Sequence, residues 1–207
     1  MNSKEKFEHA KQIVPEYASS FPDIPLITTE RVLELRASAK AGKVEEPVLV
    51  DVRSDSERNV STIPGSISRE DFESRELQSL KGRCVVPYCT IGVRSGRYAL
   101  RLKKSGFTDV HNGEGVLLWS HVAQGDDKLV KVPAVATTEL PSGNGTPGAS
   151  CMHSNVRESA SHIHVFSPRF DLAADGYTPV TFTQWEKTKY VAACWWYQVF
   201  ESDKPVG

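Results

Sequence analysis

Apolar residues along the chain gather in short runs near Ile24, Val48, Ile67, Val85 and Val110, and stretches with helical spacing separate these runs. Runs of this length bounded by turn residues predict strands. Thr28-Thr29 ahead of Glu30–Leu35 predicts a helix start, with hydroxyl caps and an early acid, and Ser68 followed by Asp71 and Phe72 predicts another. Val93, Arg97, Leu100 and Lys104 step at threes and fours, with Ala99 and Leu102 completing an apolar face. Gly106, after Lys103-Lys104-Ser105, is the stop for that helix, because glycine takes the left-handed cap and lysines suit the negative end of the dipole. Strands alternating with helices predict an α/β fold with a mostly parallel central sheet and helices on both faces.

The segment Val85-Val86-Pro87-Tyr88-Cys89-Thr90-Ile91-Gly92-Val93-Arg94-Ser95 carries the chemistry. An apolar strand ends at a cysteine, a short loop with one glycine follows, and Arg94-Ser95 opens the helix. That order puts a sulfur at a helix N-terminus, ringed by backbone N–H groups without an intrahelical partner. Such a cradle favours anions and lowers a thiol toward the reactive thiolate. Taken alone, the pattern leaves a buried core thiol open as the alternative.

Flanking segments weigh toward chemistry at Cys89. Asp51-Val52-Arg53, Ile63-Pro64-Gly65-Ser66-Ile67, Tyr88-Cys89-Thr90-Ile91-Gly92-Val93-Arg94-Ser95-Gly96, Gly106-Phe107-Thr108-Asp109-Val110 and the glycine-rich turn before Trp119 resemble the rhodanese (sulfurtransferase) domain in order and spacing. The resemblance covers roughly the first two-thirds of the chain and implies a rhodanese-like fold. It implies Cys89 as the nucleophile that holds sulfane sulfur as a persulfide. It further implies the amides of Thr90, Ile91, Gly92, Val93, Arg94 and Ser95 as the anion-binding loop, Arg94 as the loop-closing arginine and Asp51 as a supporting strand-end carboxylate. Arg53 is a second supporting candidate, expected to pair with Glu57 as a local surface contact.

Three departures from the family pattern stand out. Ser61-Thr62 occupies the place where many members have Gly-His. Pro87 sits in a central strand, where it cannot donate a ladder bond, and predicts a bulge just before Tyr88. The turn before Trp119 reads Gly113-Glu114-Gly115, which brings a carboxylate to that side of the domain.

Rhodanese-like domains divide into sulfurtransferases with a six-residue active loop and phosphatases or arsenate reductases with one residue more. Cys89 and Arg94 bound the shorter loop here. A tighter ring of amides suits a single added sulfur better than a tetrahedral phosphate. The expectation is a thiosulfate sulfurtransferase-like enzyme passing sulfur to cyanide or a thiol. The alternative is a rhodanese-fold binding module with little turnover; phosphatase or arsenate reductase chemistry ranks below both. Thr90, Ile91 and Val93 add no charge to the loop, so thiosulfate steering is modest and a persulfide donor on a small thiol or protein also fits.

Composition adds the setting. A 207-residue chain of net charge −1 with mixed signs gives no reason to expect nucleic acid or an anionic membrane. No apolar run approaches a membrane span, and residues 1–8 carry acids without a hydrophobic signal core, so a cytoplasmic location is expected, with an organelle open if a presequence has been removed. Four irregularly spaced cysteines do not make a disulfide framework.

The chain divides into an N-terminal segment (1–22), the rhodanese-like domain (23–132), a linker (133–161) flexible by composition around Pro141–Gly148, and a C-terminal extension (162–207). In the extension, His162–Phe166 alternates as a strand does. Asp175-Gly176 is a tight-turn signal ahead of Tyr177–Phe182, and Thr183 with Glu186 resembles a capping box before Val191–Tyr197. So short a tail is expected to dock on the domain or on a protein partner, its aromatic residues serving as plain packing before an interaction surface. Cys84 and Cys194 read as packing thiols, and Cys151 as an idle linker thiol or a resolving thiol for Cys89. Cys151-x-His153 with His162-x-His164 offers metal-ligand types but matches no zinc spacing, and the proposed transfer calls for no metal or cofactor.

Overall fold

The computed structural model describes residues 1–131, 158–165, 168–182 and 188. Five parallel strands form the centre: β1 (Leu26–Ile27), β2 (Val48–Asp51), β3 (Ile67–Ser68), β4 (Val85–Tyr88) and β5 (Asn112–Gly113). Strand β2 lies between β3 and β4, β1 pairs with β5, and a parallel bridge from Val85 to Val110 joins the two groups. The resulting order is β1-β5-β4-β2-β3. Three of the predicted runs become strands where expected. The run at Ile24 pairs two residues later, and the run at Val110 makes one bridge before pairing at Asn112.

Strand alternation sorts the core into two layers. Leu49, Val86 and Tyr88 face α1 (Ser3–Ala18), α2 (Thr29–Lys40) and α6 (Val116–Val122), through Ala10, Val14, Val32, Leu117 and Trp119. Val50 and Val85 face α4 (Arg69–Glu73) and α5 (Val93–Lys104), through Phe72, Tyr98, Ala99 and Leu102. The two-sided α/β architecture expected from the sequence is the observed one.

The bulge expected before Tyr88 is absent, and Val48–Asp51 pair with Val85–Tyr88 in unbroken register. In a parallel strand, alternate residues address alternate neighbours. Val85 donates to Asp109 O at 2.9 Å and accepts from His111 N at 3.0 Å, so Pro87, two residues on, also faces away from β2. Its missing N–H therefore costs the β2–β4 ladder nothing, and Cys89 is aimed by a regular strand.

Helix α1 lies in the N-terminal segment for which the sequence reading assigned no element. Asn2 and Glu5 cap each other's backbone amides at 3.0 and 2.9 Å, and Ala10, Val14 and Ala18 form the buried stripe. That capping box and four-residue spacing were available signals.

Strand β6 (His162–His164) pairs in parallel with β7 (Thr178–Val180). Asp175-Gly176 is therefore no hairpin turn; it lies just ahead of β7 in the connection between two parallel strands. Ala160, Ile163, Val165, Leu172 and Ala173 join the core layer of Leu117 and Trp119. His121 Nε2 lies 2.7 Å from Leu172 O, and Ala174 N donates to Ser120 Oγ at 3.2 Å. Residues 158–160 are bonded to 129–131, and Val130 bridges both Thr62 and Ser159. The described part of the tail thus packs on the domain. Pro141–Gly148, Cys151, His153, Thr183, Glu186, Cys194 and the aromatic run 195–197 lie outside the described residues. Among the described residues, no helix is long and apolar enough to cross a membrane.

Candidate active site

Cys89 follows the last residue of β4 and is 2% exposed. Gly92 takes φ +91° and starts α5 at Val93, one residue before the predicted Arg94-Ser95 opening. The loop's carbonyls are turned outward and held there. Val116 N and Leu117 N, in the first turn of α6, donate to Cys89 O and Thr90 O at 2.9 and 3.3 Å, and Asn112 Nδ2 donates to Gly92 O at 2.9 Å. With the carbonyls engaged elsewhere, the amides of Ile91 and Ser95 serve the sulfur, and Ser95 Oγ donates to Cys89 Sγ at 3.6 Å. Burial pushes the thiol up, but the Arg94 charge, the Ser95 amide and hydroxyl and the Ile91 amide outweigh it, and Cys89 is left below the ordinary thiol range.

Close approach of α6 to the loop depends on Gly115. Its φ is +95°, and a β-carbon there would stand 2.5 Å from Thr90 O and 2.6 Å from Cys89 O. Gly115→Ala should therefore destabilise the fold by about 1–3 kcal/mol and slow Cys89 alkylation. Urea unfolding together with iodoacetamide kinetics checks this, and an unchanged variant would show that α6 does not set the loop.

Arg94 is held by Glu57 rather than by Asp51. Its Nη1 and Nη2 donate to Glu57 Oε2 and Oε1 at 2.7 and 2.8 Å, and Nη2 also reaches Thr90 Oγ1 at 3.4 Å. Glu57, on α3 (Asp55–Arg58), is fully buried, and Ser54 N and Oγ both donate to its Oε2 at 3.0 Å. The expected Arg53–Glu57 surface contact is corrected accordingly. Arg53 is buried and forms a two-pronged pair with Asp51, Nε to Oδ1 at 2.9 Å and Nη2 to Oδ2 at 2.6 Å, its charged state favoured by that carboxylate despite burial. Two residues apart in sequence, Asp51 and Arg53 meet because the chain turns immediately after β2.

Asp51 supports the site through a wider network. Tyr88 Oη and Thr62 Oγ1 donate to its Oδ2 at 2.7 and 3.0 Å, and Arg53 Nη2 donates to Ser61 O at 2.7 Å. The Ser61-Thr62 departure is thus absorbed into the pairing that fixes the ends of β2 and β4. Glu114 caps α2, accepting from Thr29 N and Oγ1 at 2.8 and 3.0 Å. Sequence reasoning missed Asn112 and Glu57 as the partner of Arg94. A glutamate at the third position of a short helix reads as a cap, and nothing local marks its second use.

Cys84, Asp109 and His111 place their ligand atoms within 4.8 Å of one another at the start of β4, the end of the sheet opposite Cys89. Asp109 Oδ1 is 2.7 Å from His111 Nε2. Burial and the Asp109 carboxylate push the Cys84 thiol up to about 11, with Arg31 and Arg83 opposing. Cys84 is half-buried, packed against the core layer of Leu49 and Val86 as its sequence suggested, and hydrogen-bonded to Asp109.

Cys89 thus stands at a strand end in a short ring of amides, on a parallel sheet covered on both faces. Residues 32–117 match the rhodanese-like domain family. The tRNA uridine(34) hydroxylase of Bacillus licheniformis is 32% identical over 95 residues, 42% of this chain and 30% of that protein. The protein of the same name from Oceanobacillus iheyensis is 33% identical over 94 residues, 42% of this chain and 29% of its own. The chain thus spans under a third of the length of these curated relatives. Among solved structures, a rhodanese-like domain protein from Staphylococcus aureus is 28% identical, covering 53% of this chain and 99% of its own, with a TM-score of 0.39. A human single-domain sulfurtransferase is 21% identical, covering 48% and 98%, with a TM-score of 0.37.

Proposed function

We propose that this protein is a sulfurtransferase working by double displacement at Cys89. The observation that carries the reading is the six-residue loop from Cys89 to Arg94, whose sulfur is met by the Ile91 and Ser95 amides and the Ser95 hydroxyl. The thiolate attacks the outer sulfur of a sulfane donor such as thiosulfate. The donor's S–S bond breaks and sulfite leaves with the electron pair, giving a Cys89 persulfide whose charge the amides hold. Cyanide or a thiolate then attacks the outer sulfur and regenerates the Cys89 thiolate, with thiocyanate or a new persulfide as product. Arg94 supplies positive charge at the loop, but Glu57 neutralises part of it. This supports weak steering of thiosulfate and leaves persulfide donors on small thiols or proteins as equal substrates.

Treating the chain with thiosulfate should add one sulfur to the peptide containing Cys89, read by mass spectrometry. No gain would favour the binding module, with the C-terminal extension recruiting a partner. An aryl phosphate should show no turnover, because the ring is too tight for a tetrahedral oxyanion. Inserting one residue between Gly92 and Val93 should lower sulfur transfer on the order of a hundredfold, since that displaces the amides by about 1 Å. Phosphatase turnover by the unmodified chain, lost in Cys89→Ser, would overturn the choice of chemistry.

A second reading is carried by the name of the curated relatives, action on uridine 34 of tRNA. Incubation with unmodified tRNA and an added oxidant such as dioxygen, followed by nucleoside mass spectrometry, separates the two. A hydroxylated uridine dependent on Cys89 would favour the second.

A further inference from the structure

We propose that His164, on β6 and outside the rhodanese-like match, is a positioning residue for the Cys89 site, fixing Glu57 and through it the Arg94 guanidinium. The proposal deepens the reading of Cys89 as a reactive thiolate and rests on it. His164 Nδ1 stands 3.5 Å from Glu57 Oε1, with the histidine 2% exposed and its carboxylate partner fully buried. The two carboxylate oxygens are unequally held. Oε2 takes Ser54 N, Ser54 Oγ and Arg94 Nη1, whereas Oε1 takes Arg94 Nη2 and faces His164.

The ring is pinned from its other side by Phe182, with centroids 4.2 Å apart and planes at 56°. Among the described residues neither ring nitrogen has a hydrogen-bond partner within ordinary range, and the imidazole is a polar group buried from solvent. An apolar ring would fill that place at lower cost. What the imidazole adds, in its Nδ1–H tautomer, is an N–H 3.5 Å from the less-held oxygen of the carboxylate that orients Arg94. Among the described residues, the groups facing it are Glu57 from α3 and Phe182 from the tail, with the Arg53 charge beyond Glu57. Among the described residues, the groups facing Cys89 are Arg94, Ser95 and the Ile91 amide. A ring on β6 thus sets the direction of a guanidinium on α5, across a carboxylate on α3. This gives the C-terminal segment a part in the chemistry of the domain it packs on.

The test uses the full chain and measures the pH dependence of iodoacetamide alkylation at Cys89 by peptide mass spectrometry, with circular dichroism as the check on folding. His164→Phe keeps the packing and removes the N–H. It should raise the alkylation midpoint by about half a pH unit, which is about threefold less thiolate below the midpoint. His164→Asn places an amide N–H near the Nδ1 position and should restore most of the shift. His164→Gln, whose amide reaches the Nε2 position, should behave like His164→Phe. A folded His164→Phe with an unchanged midpoint would overturn the proposal. Equal midpoints in the Asn and Gln variants would overturn it too, and that comparison stands even where the Phe variant does not fold. Alkylation needs no sulfur donor, so a midpoint that moves while the wild type transfers no sulfur refutes the sulfurtransferase reading and leaves this one standing.

Discussion

Cys89→Ser should abolish both persulfide formation and thiosulfate:cyanide turnover, a loss of at least about a thousandfold, while leaving the fold within about 1 kcal/mol of wild type. Serine is nearly isosteric with cysteine, and the Ser95 hydroxyl and the Ile91 and Ser95 amides that serve the sulfur remain donors for a hydroxyl oxygen. A hydroxyl cannot hold a sulfane sulfur, so the intermediate is lost while the loop is kept. Thiocyanate formation measures the first effect and urea unfolding the second. Cys84 is no substitute, because it lies at the other end of the sheet with its thiol pushed up to about 11. Cys84→Ser should accordingly keep the activity. Turnover retained in Cys89→Ser would remove the double-displacement mechanism.

The largest stability effect is expected at Glu57. Glu57→Ala leaves the Arg94 guanidinium without its two-pronged carboxylate and Arg53 with less compensating charge nearby, a loss of about 3–5 kcal/mol for a buried pair broken from one side. Arg94→Lys should fail to rescue transfer, since a single ammonium cannot meet both carboxylate oxygens at once. The pH dependence follows from the same contacts. Burial pushes the Glu57 carboxyl up, but the Arg94 bonds, the His164 contact and the Arg94 and Arg53 charges reverse this and hold it far below the usual carboxylate range. Between that depressed value and the unfolded value near about 4.3, the unfolded chain binds the extra proton. The Glu57 contribution is therefore complete above the unfolded value and is lost progressively as pH falls below it. Urea unfolding of wild type and Glu57→Gln from neutral pH to about pH 3 should show the wild type losing its advantage toward the acid end. A difference that stays constant across that range would show that the carboxylate charge is not what stabilises the site.

Residues close in sequence were legible, and residues brought together by topology were not. Strand β4, the Cys89 loop and α5 could be read because a four-residue apolar run, a glycine suited to positive φ and a three-to-four spacing each leave a local mark. Arg53 shows the limit. Glu57 stands four residues away and looked like its partner, yet the turn after β2 gives Arg53 to Asp51 and sends Glu57 inward to Arg94, 37 positions along the chain. Pro87 shows another: its cost depends on which neighbour its missing N–H faces, and strand order decides that. Asp175-Gly176 carries a turn signal that is correct locally, but whether two strands return antiparallel or parallel depends on the crossover between them.

The sequence by itself determined the α/β class, the place of Cys89 at a strand end before a helix, and the six-residue length of its loop. Each follows from periodicity or from residues adjacent along the backbone. Tertiary structure alone decided which carboxylate holds Arg94, that α6 and Asn112 take the loop's carbonyls, and that His164 reaches Glu57 from a segment more than a hundred residues away. The physical reason is the same in each case. A buried ion pair or a captured carbonyl is selected by the strand order of the sheet and by what is excluded from water with it, and neither is written in local spacing.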